Sequence, residues 1–286
     1  MFKFLILLIV LSFTINTIAQ TVVDLGLNKK KDFISIKKLD KNERQIIKDY
    51  FITDNDTLVN LKNELTEAEL KLFCSCYTND SLVKKYKKAV FYYEWNDDKL
   101  QKSNQWNSDI KVYFAPSIPR NVRTKFIKFY NPLNTINNLK IDFVKNIEDS
   151  NYVIKVSNTI IPNLTIRDNK YDETHPLSKI SYSMLTDKTR KFYAGTMQID
   201  LDNLDDKSLL LPKLKQVFFL SLGSFIINKS FSETSLVSSQ YINSETISIE
   251  DFELIKMHYF KIYDQLVSAS KIDELVQTSK SICKNE

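Results

Sequence analysis

The stretch Leu209–Ile227, LLLPKLKQVFFLSLGSFII, decides how the rest of the chain is read. Twelve of its nineteen residues are Leu, Val, Phe or Ile, and they fall on every side of a helix instead of one stripe. A helix apolar all round lies in the middle of a domain or in a membrane. Lys213, Lys215 and Gln216 interrupt it, and the uncharged part is about a dozen residues, short of the roughly 20 that a bilayer needs. The segment therefore predicts a buried central helix, with no membrane span in the mature chain.

Alternating strands and one amphipathic helix precede it. Ile110, Val112 and Phe114 alternate with Lys111 and Tyr113, the mark of a strand with one buried face. Pro119 opens a helix in which Val122, Phe126, Phe129 and Leu133 recur every three or four residues, and Pro132 kinks or ends it. Strands follow at Ile141–Val144 and around Tyr152, Ile154 and Val156. Residues 158–190 read as polar and irregular, before an edge-like strand at Met197, Ile199 and Leu201. After the central helix, Ser248 and Asp251 cap a last helix with Phe252, Ile255, Tyr259, Ile262 and Leu266 as its stripe. Residues 21–104 read as a helical N-terminal region. Thr66 and Glu69 form a capping box, flanked by Leu65 and Leu70. Leu82, Val83, Tyr86, Ala89 and Val90 then repeat at helical spacing, with Lys84, Lys85, Lys87 and Lys88 on the other side.

Residues 1–20 have the form of a cleavable export signal: Lys3, an apolar run from Phe4 to Leu11, then small residues at Thr17 and Ala19. Removing them leaves about 266 residues, expected in the periplasm or outside the cell, with an α+β domain expected over 105–286. The 40 basic and 35 acidic residues are interspersed, which describes a solvated surface and no nucleic-acid footprint. Export permits disulfides. Cys74 and Cys76 stand only two apart, so one of them is expected to pair with Cys283; the three match no common zinc spacing.

The element order from residue 105 onward resembles the zincin metallopeptidases, especially metzincin-like domains of exported bacterial proteins. That family carries His-Glu-x-x-His-x-x-Gly on its central helix and turns the chain at the glycine to reach a third ligand. Ser221, Leu222 and Gly223 match the end of that motif, and the stretch 247–255 looks like the start of the family's closing helix, with Tyr259 at its frequent tyrosine. The resemblance thus implies a zincin-like mixed sheet with a buried central helix and a C-terminal helix.

The same register places Gln216 and Leu220 at the two histidine positions and Val217 at the glutamate. Zinc needs imidazole, thiolate or carboxylate ligands, and the bound water needs a carboxylate base. A neutral amide is a poor ligand and valine is no base. Ser224–Ser232 offers no His, Asp, Glu or Cys as a third ligand, and the whole chain has two histidines, His175 and His258. The expectation is a pseudo-metallopeptidase: no cofactor, no metal, no catalytic residue, and a binding or structural role toward a protein or peptide partner of unknown identity. The competing expectation is an active hydrolase built from carboxylates and His175, which sits in Asp172-Glu173-Thr174-His175-Pro176. A third is an assembly protein that uses residues 21–100 as its contact surface.

Overall fold

A computed structural model describes residues 34–39, 47–52, 56–61, 67–91, 103–106, 108–157, 179–187, 191–204, 206–260 and 267–283. The export signal, Leu65 and Thr66 of the capping box, His175, Ile262 and Leu266 lie outside them. The chain divides into two compact units, Met1–Lys71 and Leu72–Glu286. This division falls well before residue 104, so the lysine-rich helix belongs with the sheet.

The first unit corrects the helical expectation for its part of the chain. Strands β1 (Ile34–Ser35), β2 (Ile47–Ile52) and β3 (Thr57–Leu61) form an antiparallel sheet in the order β1-β3-β2. Ile47, Tyr50, Phe51 and Ile52 are of types enriched in strands, and pairing with β3 fixes the segment as one. Among the described residues, α-helices begin with α1 (Glu67–Tyr77) and α2 (Asp80–Val90), after a 3-10 turn at Ile36–Lys38. In α2 the apolar residues Leu82, Val83, Tyr86, Ala89 and Val90 are all buried, as their spacing requires. Asn79 caps it by accepting from the Leu82 N–H.

The second unit is mixed α and β. Its sheet contains β4 (Gln105–Trp106), β5 (Ile110–Phe114), β6 (Ile141–Val144), β7 (Tyr152–Val156), β8 (Ile180–Thr186) and β9 (Lys191–Ile199). Neighbours run β6-β5-β7-β9 in parallel, β4 also pairs parallel with the start of β9, and β8 pairs antiparallel with β9. Sequence reading took Met197 and Ile199 as an edge strand. They lie instead between β7 and β8, and Leu201 falls past the end of β9. β8 is an edge strand inside the stretch read as irregular, although Ile180, Tyr182 and Met184 alternate there with Ser181 and Ser183 at the strand period.

Helix α3 (Arg120–Tyr130) joins β5 to β6 and ends just before Pro132, which lies in the first turn of a 3-10 segment, Asn131–Thr135. The buried helix α4 (Leu210–Gly223) follows β9. An aromatic cluster locks α4 between α3 and the sheet: Phe218 meets Phe126, Tyr130 and Tyr152 with ring centroids 5.2, 4.7 and 5.1 Å away, all edge to face. Helix α5 (Ile249–His258) starts at Ser248, whose hydroxyl accepts from the Asp251 N–H. It is not the last helix. α6 (Ala269–Ile282) follows, buries Ile272, Leu275 and Val276, and ends at Cys283.

Cys283 is bonded to Cys74 on α1, closing a separation of 209 residues, while Cys76 is a buried free thiol. Burial raises the Cys76 pKa to about 11, so it remains a protonated core residue. A crosslink of this span restricts the unfolded chain and is worth about 2–5 kcal/mol. Reduction with dithiothreitol is expected to lower the melting temperature of wild-type protein by several degrees. Cys283→Ser should melt at that lower temperature whether or not reductant is present.

Candidate functional site

Sequence reading placed the candidate site on α4, at Gln216, Val217, Leu220 and Gly223. From Leu214 to Gly223 every residue of α4 is buried. Val217 is 1% exposed and Leu220 2%. At about 1.5–3 kcal/mol for each fully buried aliphatic side chain, these two residues stabilise the domain as core packing. The Gln216 side-chain amide donates to the Ser238 carbonyl at 2.8 Å, so its N–H is spent on the chain itself.

The residue that Gln216 holds belongs to the long connection from Ser224 to Ile247, which contains neither helix nor strand. Structureless connections of this length are uncommon inside a compact domain. Here it lies along α4 and is fixed at several points. Lys215 Nζ donates to Asn243 Oδ1 at 3.1 Å and to the Ser244 carbonyl at 2.7 Å, and sits 4.1 Å from the Phe129 ring centroid. Burial holds the Lys215 pKa below its ordinary value. Ile226 N–H bonds to the Ala89 carbonyl at 2.7 Å, and Asn228 N–H to the Val237 carbonyl at 2.8 Å.

Asp251 anchors the same connection from α5. Its carboxylate accepts from the Ser235 hydroxyl at 2.6 Å, the Leu236 N–H at 2.9 Å and the Ser248 hydroxyl at 2.8 Å. Burial pushes its pKa up to about 6 despite these donors. Sequence reading saw Asp251 only as a capping residue. The available clue was the run of serines at 230, 232, 235, 238 and 239, short donors suited to wrapping a buried carboxylate.

Gly223 has a packing role. A Cβ there would lie 2.6 Å from Phe225 Cζ and 2.7 Å from His258 Nε2, so only glycine admits the close approach of α5. The chain does not turn at Gly223 as the resemblance implied. The left-handed residue is Ser224, with φ of 51°, and Phe225 N–H closes the helix end on the Leu220 carbonyl at 2.9 Å. Ser221 is equally committed: it donates to the Phe218 carbonyl at 2.7 Å and accepts from Tyr152 at 2.9 Å. Tyr259 donates to the Leu222 carbonyl at 2.7 Å.

His258 is fully buried at the end of α5. Its Nε2 lies 2.9 Å from the Asn104 carbonyl and its Nδ1 lies 3.1 Å from the Tyr86 hydroxyl. A carbonyl can only accept, so Nε2 carries the proton and Nδ1 accepts from Tyr86. This neutral tautomer satisfies both nitrogens, and burial depresses the pKa to about 3. The ring is a structural strut between α5, α2 and the residue before β4.

These residues do not fit a catalytic zinc. The register offers one amide nitrogen already donated, two aliphatic side chains and a glycine. Among the described residues, no group of three His, Cys, Asp or Glu side chains gathers to hold a metal. Two depressions lie elsewhere: one of about 230 Å³ lined by Lys155, Ser181, Tyr182, Ser183, Thr196 and Gln198, and an open one of about 530 Å³ around Asp109, Glu148 and Asp149. Neither is lined by Gln216, Val217, Leu220 or Gly223. The lysine face of α2 is partly spent as well, with Lys85 paired to Glu250 and Lys87 to Asp273.

No protein-family model matches this chain, and no curated protein matches it. Function must therefore be argued from the side chains alone.

Acid stability reports on the buried histidine. In the unfolded chain His258 takes up a proton below pH 6.5, while in the fold it stays neutral to about pH 3. Its contribution is therefore complete above pH 6.5 and is lost as pH falls toward 3. Asp251 works in the opposite sense between pH 3.8 and about 6, because the fold holds its proton more tightly than the unfolded chain. His258→Gln keeps a donor and an acceptor but removes one titration. Urea unfolding at pH 7 and pH 4 should show the wild-type advantage over this variant shrinking by on the order of 3 kcal/mol at the lower pH. An advantage independent of pH would mean that His258 is not buried in the neutral form.

Proposed function

We propose that the chain is an exported protein, periplasmic or extracellular, whose larger unit is a zincin-like domain without zinc or peptidase chemistry. It serves as a binding or structural module for a protein or peptide partner. The single observation that carries this reading is the enclosure of Val217 and Leu220 in the core, at the positions where the resemblance would put a base and a metal ligand.

Three further features support it. A strand, an amphipathic helix, two strands, a later strand and then a buried helix follow one another as in the element order on which the resemblance rests, with β8 added between β7 and β9. The Gln216 amide donates to the backbone instead of facing a cleft. Replacing buried polar ligands by aliphatic groups removes the cost of leaving them unpaired, so the layout outlives the chemistry. The apolar N-terminal segment with its small-residue cleavage positions supports export.

Metal analysis of the purified mature protein tests the reading. After incubation with zinc and exhaustive dialysis, inductively coupled plasma mass spectrometry should find far less than one zinc per chain. A stoichiometric, chelator-resistant zinc would overturn the proposal.

A further inference from the structure

The depression of about 230 Å³ lies on the sheet face turned away from α4. Tyr152, Ile154, Met197 and Ile199 are buried in the core, so the alternate residues of β7 and β9, among them Lys155, Thr196 and Gln198, point outward. Strand register then assembles the lining. Gln198 stands between Ser181 on β8 and Lys155 on β7, and Thr196 pairs with Ser183 two residues along the ladder. Neighbouring strands are about 4.8 Å apart, so one small molecule reaches all three. Ser181, 2% exposed, forms the floor. Thr196 and Gln198 are half-buried, while Ser183 and Lys155 are exposed at the rim.

On α4 and α5 the buried polar side chains are spent within the chain, as Gln216, Ser221 and Asp251 show. Here they are not. Among the described residues, the side chains of Ser181, Ser183, Thr196, Gln198 and Lys155 have neither a hydrogen-bond nor an ion-pair partner. A hydroxyl as deeply enclosed as that of Ser181 is normally satisfied, and leaving it unpaired costs free energy that a bound group recovers. The surroundings of Lys155 also set it apart. It is the single charge in a concavity otherwise lined by hydroxyls, an amide and Tyr182, whereas Lys111 on the same sheet face lines the larger depression beside Asp109, Glu148 and Asp149.

We propose that this depression binds a small hydroxylated acid, a molecule near the size of one sugar that carries a single carboxylate or phosphoryl group beside several hydroxyls. The lining selects that chemistry. It holds no carboxylate, so it does not suit a metal ion such as calcium or magnesium. An apolar ligand would strand four polar side chains away from water. Tyr182 pairs with Met197 on the core side, so its ring is not offered for stacking. Serine, threonine and glutamine side chains both donate and accept, which matches a ligand whose own hydroxyls do the same, and the one ammonium matches one acidic group. The volume falls below the about 300–1,000 Å³ of pockets that take drug-sized molecules. The site faces away from α4 and stands whether or not that helix ever held zinc.

Isothermal titration calorimetry of the full mature chain with glucuronate and with glucose-6-phosphate tests the proposal. At least one should bind with a one-to-one stoichiometry, and the tighter of the two identifies the acidic group. Glucose and inorganic phosphate each lack half of the required chemistry and should bind at least ~10-fold more weakly. Lys155→Met should weaken the acid by about 10-fold or more, because a charge-assisted contact is lost. Ser181→Ala should weaken it about 3–10-fold and melt no lower than wild type, since the hydroxyl it removes has no partner in the free chain. Thr196→Val reads the same loss from β9. Lys111→Met, an exposed lysine of the same sheet face outside the depression, should keep wild-type affinity. The proposal is overturned if neither acid binds, or if glucose or phosphate binds as tightly. It also fails if Lys111→Met weakens binding as much as Lys155→Met, or if Ser181→Ala and Thr196→Val both leave affinity unchanged.

Discussion

Enclosure of α4 is the constraint on which the rest of the larger unit depends. A helix buried on all sides leaves no route to water for Lys215, Gln216 or Ser221, and an unpaired polar group in that setting costs about 1–3 kcal/mol. Each has a partner outside the helix. Ser221 meets Tyr152 from the sheet, Gln216 meets Ser238, and Lys215 meets Asn243 and Ser244. Tyr130 of α3 donates to the Lys215 carbonyl as well. The helix is thus held by hydrogen bonds as well as by its aromatic packing.

The long connection after α4 is explained by the same requirement. Residues 224–247 supply acceptors for the polar side chains of α4, and Asp251 supplies the acceptor that fixes the connection to α5. His258 then ties the far end of α5 to Tyr86 and Asn104. Gly223 permits that approach because it has no Cβ. A metal site needs polar ligands convergent on an open position, whereas this arrangement directs Lys215, Gln216 and Ser221 into partners within the chain.

Much of this was legible in the sequence where one period dominated. The all-round apolar run at 209–227 gave the buried helix, and the alternation at 110–114 and 152–156 gave central strands. Ser248 with Asp251 gave the start of α5. The edge strand β8 was legible and was passed over: Ile180, Tyr182 and Met184 alternate with Ser181 and Ser183 at the strand period. The sheet at 34–61 was missed because short segments of mixed residues take their state from a partner strand. α6 was missed because its stripe of Ile272, Leu275 and Val276 is brief. At the candidate site, the poor fit of Gln216, Val217 and Leu220 to a metal was readable from residue types alone. The enclosure was not, because Gln216 meets Ser238 across twenty-two residues of irregular chain.

The central claim is that Gln216, Val217 and Leu220 on α4 face a closed interior. Thiol accessibility measures this most directly. Val217→Cys, placed in a Cys76→Ala background, should react with a maleimide only as fast as the whole domain unfolds, and denaturant should raise that rate steeply. Labelling in native buffer at the rate of an exposed thiol would contradict the account, because it would reveal a cleft where the structure has a core.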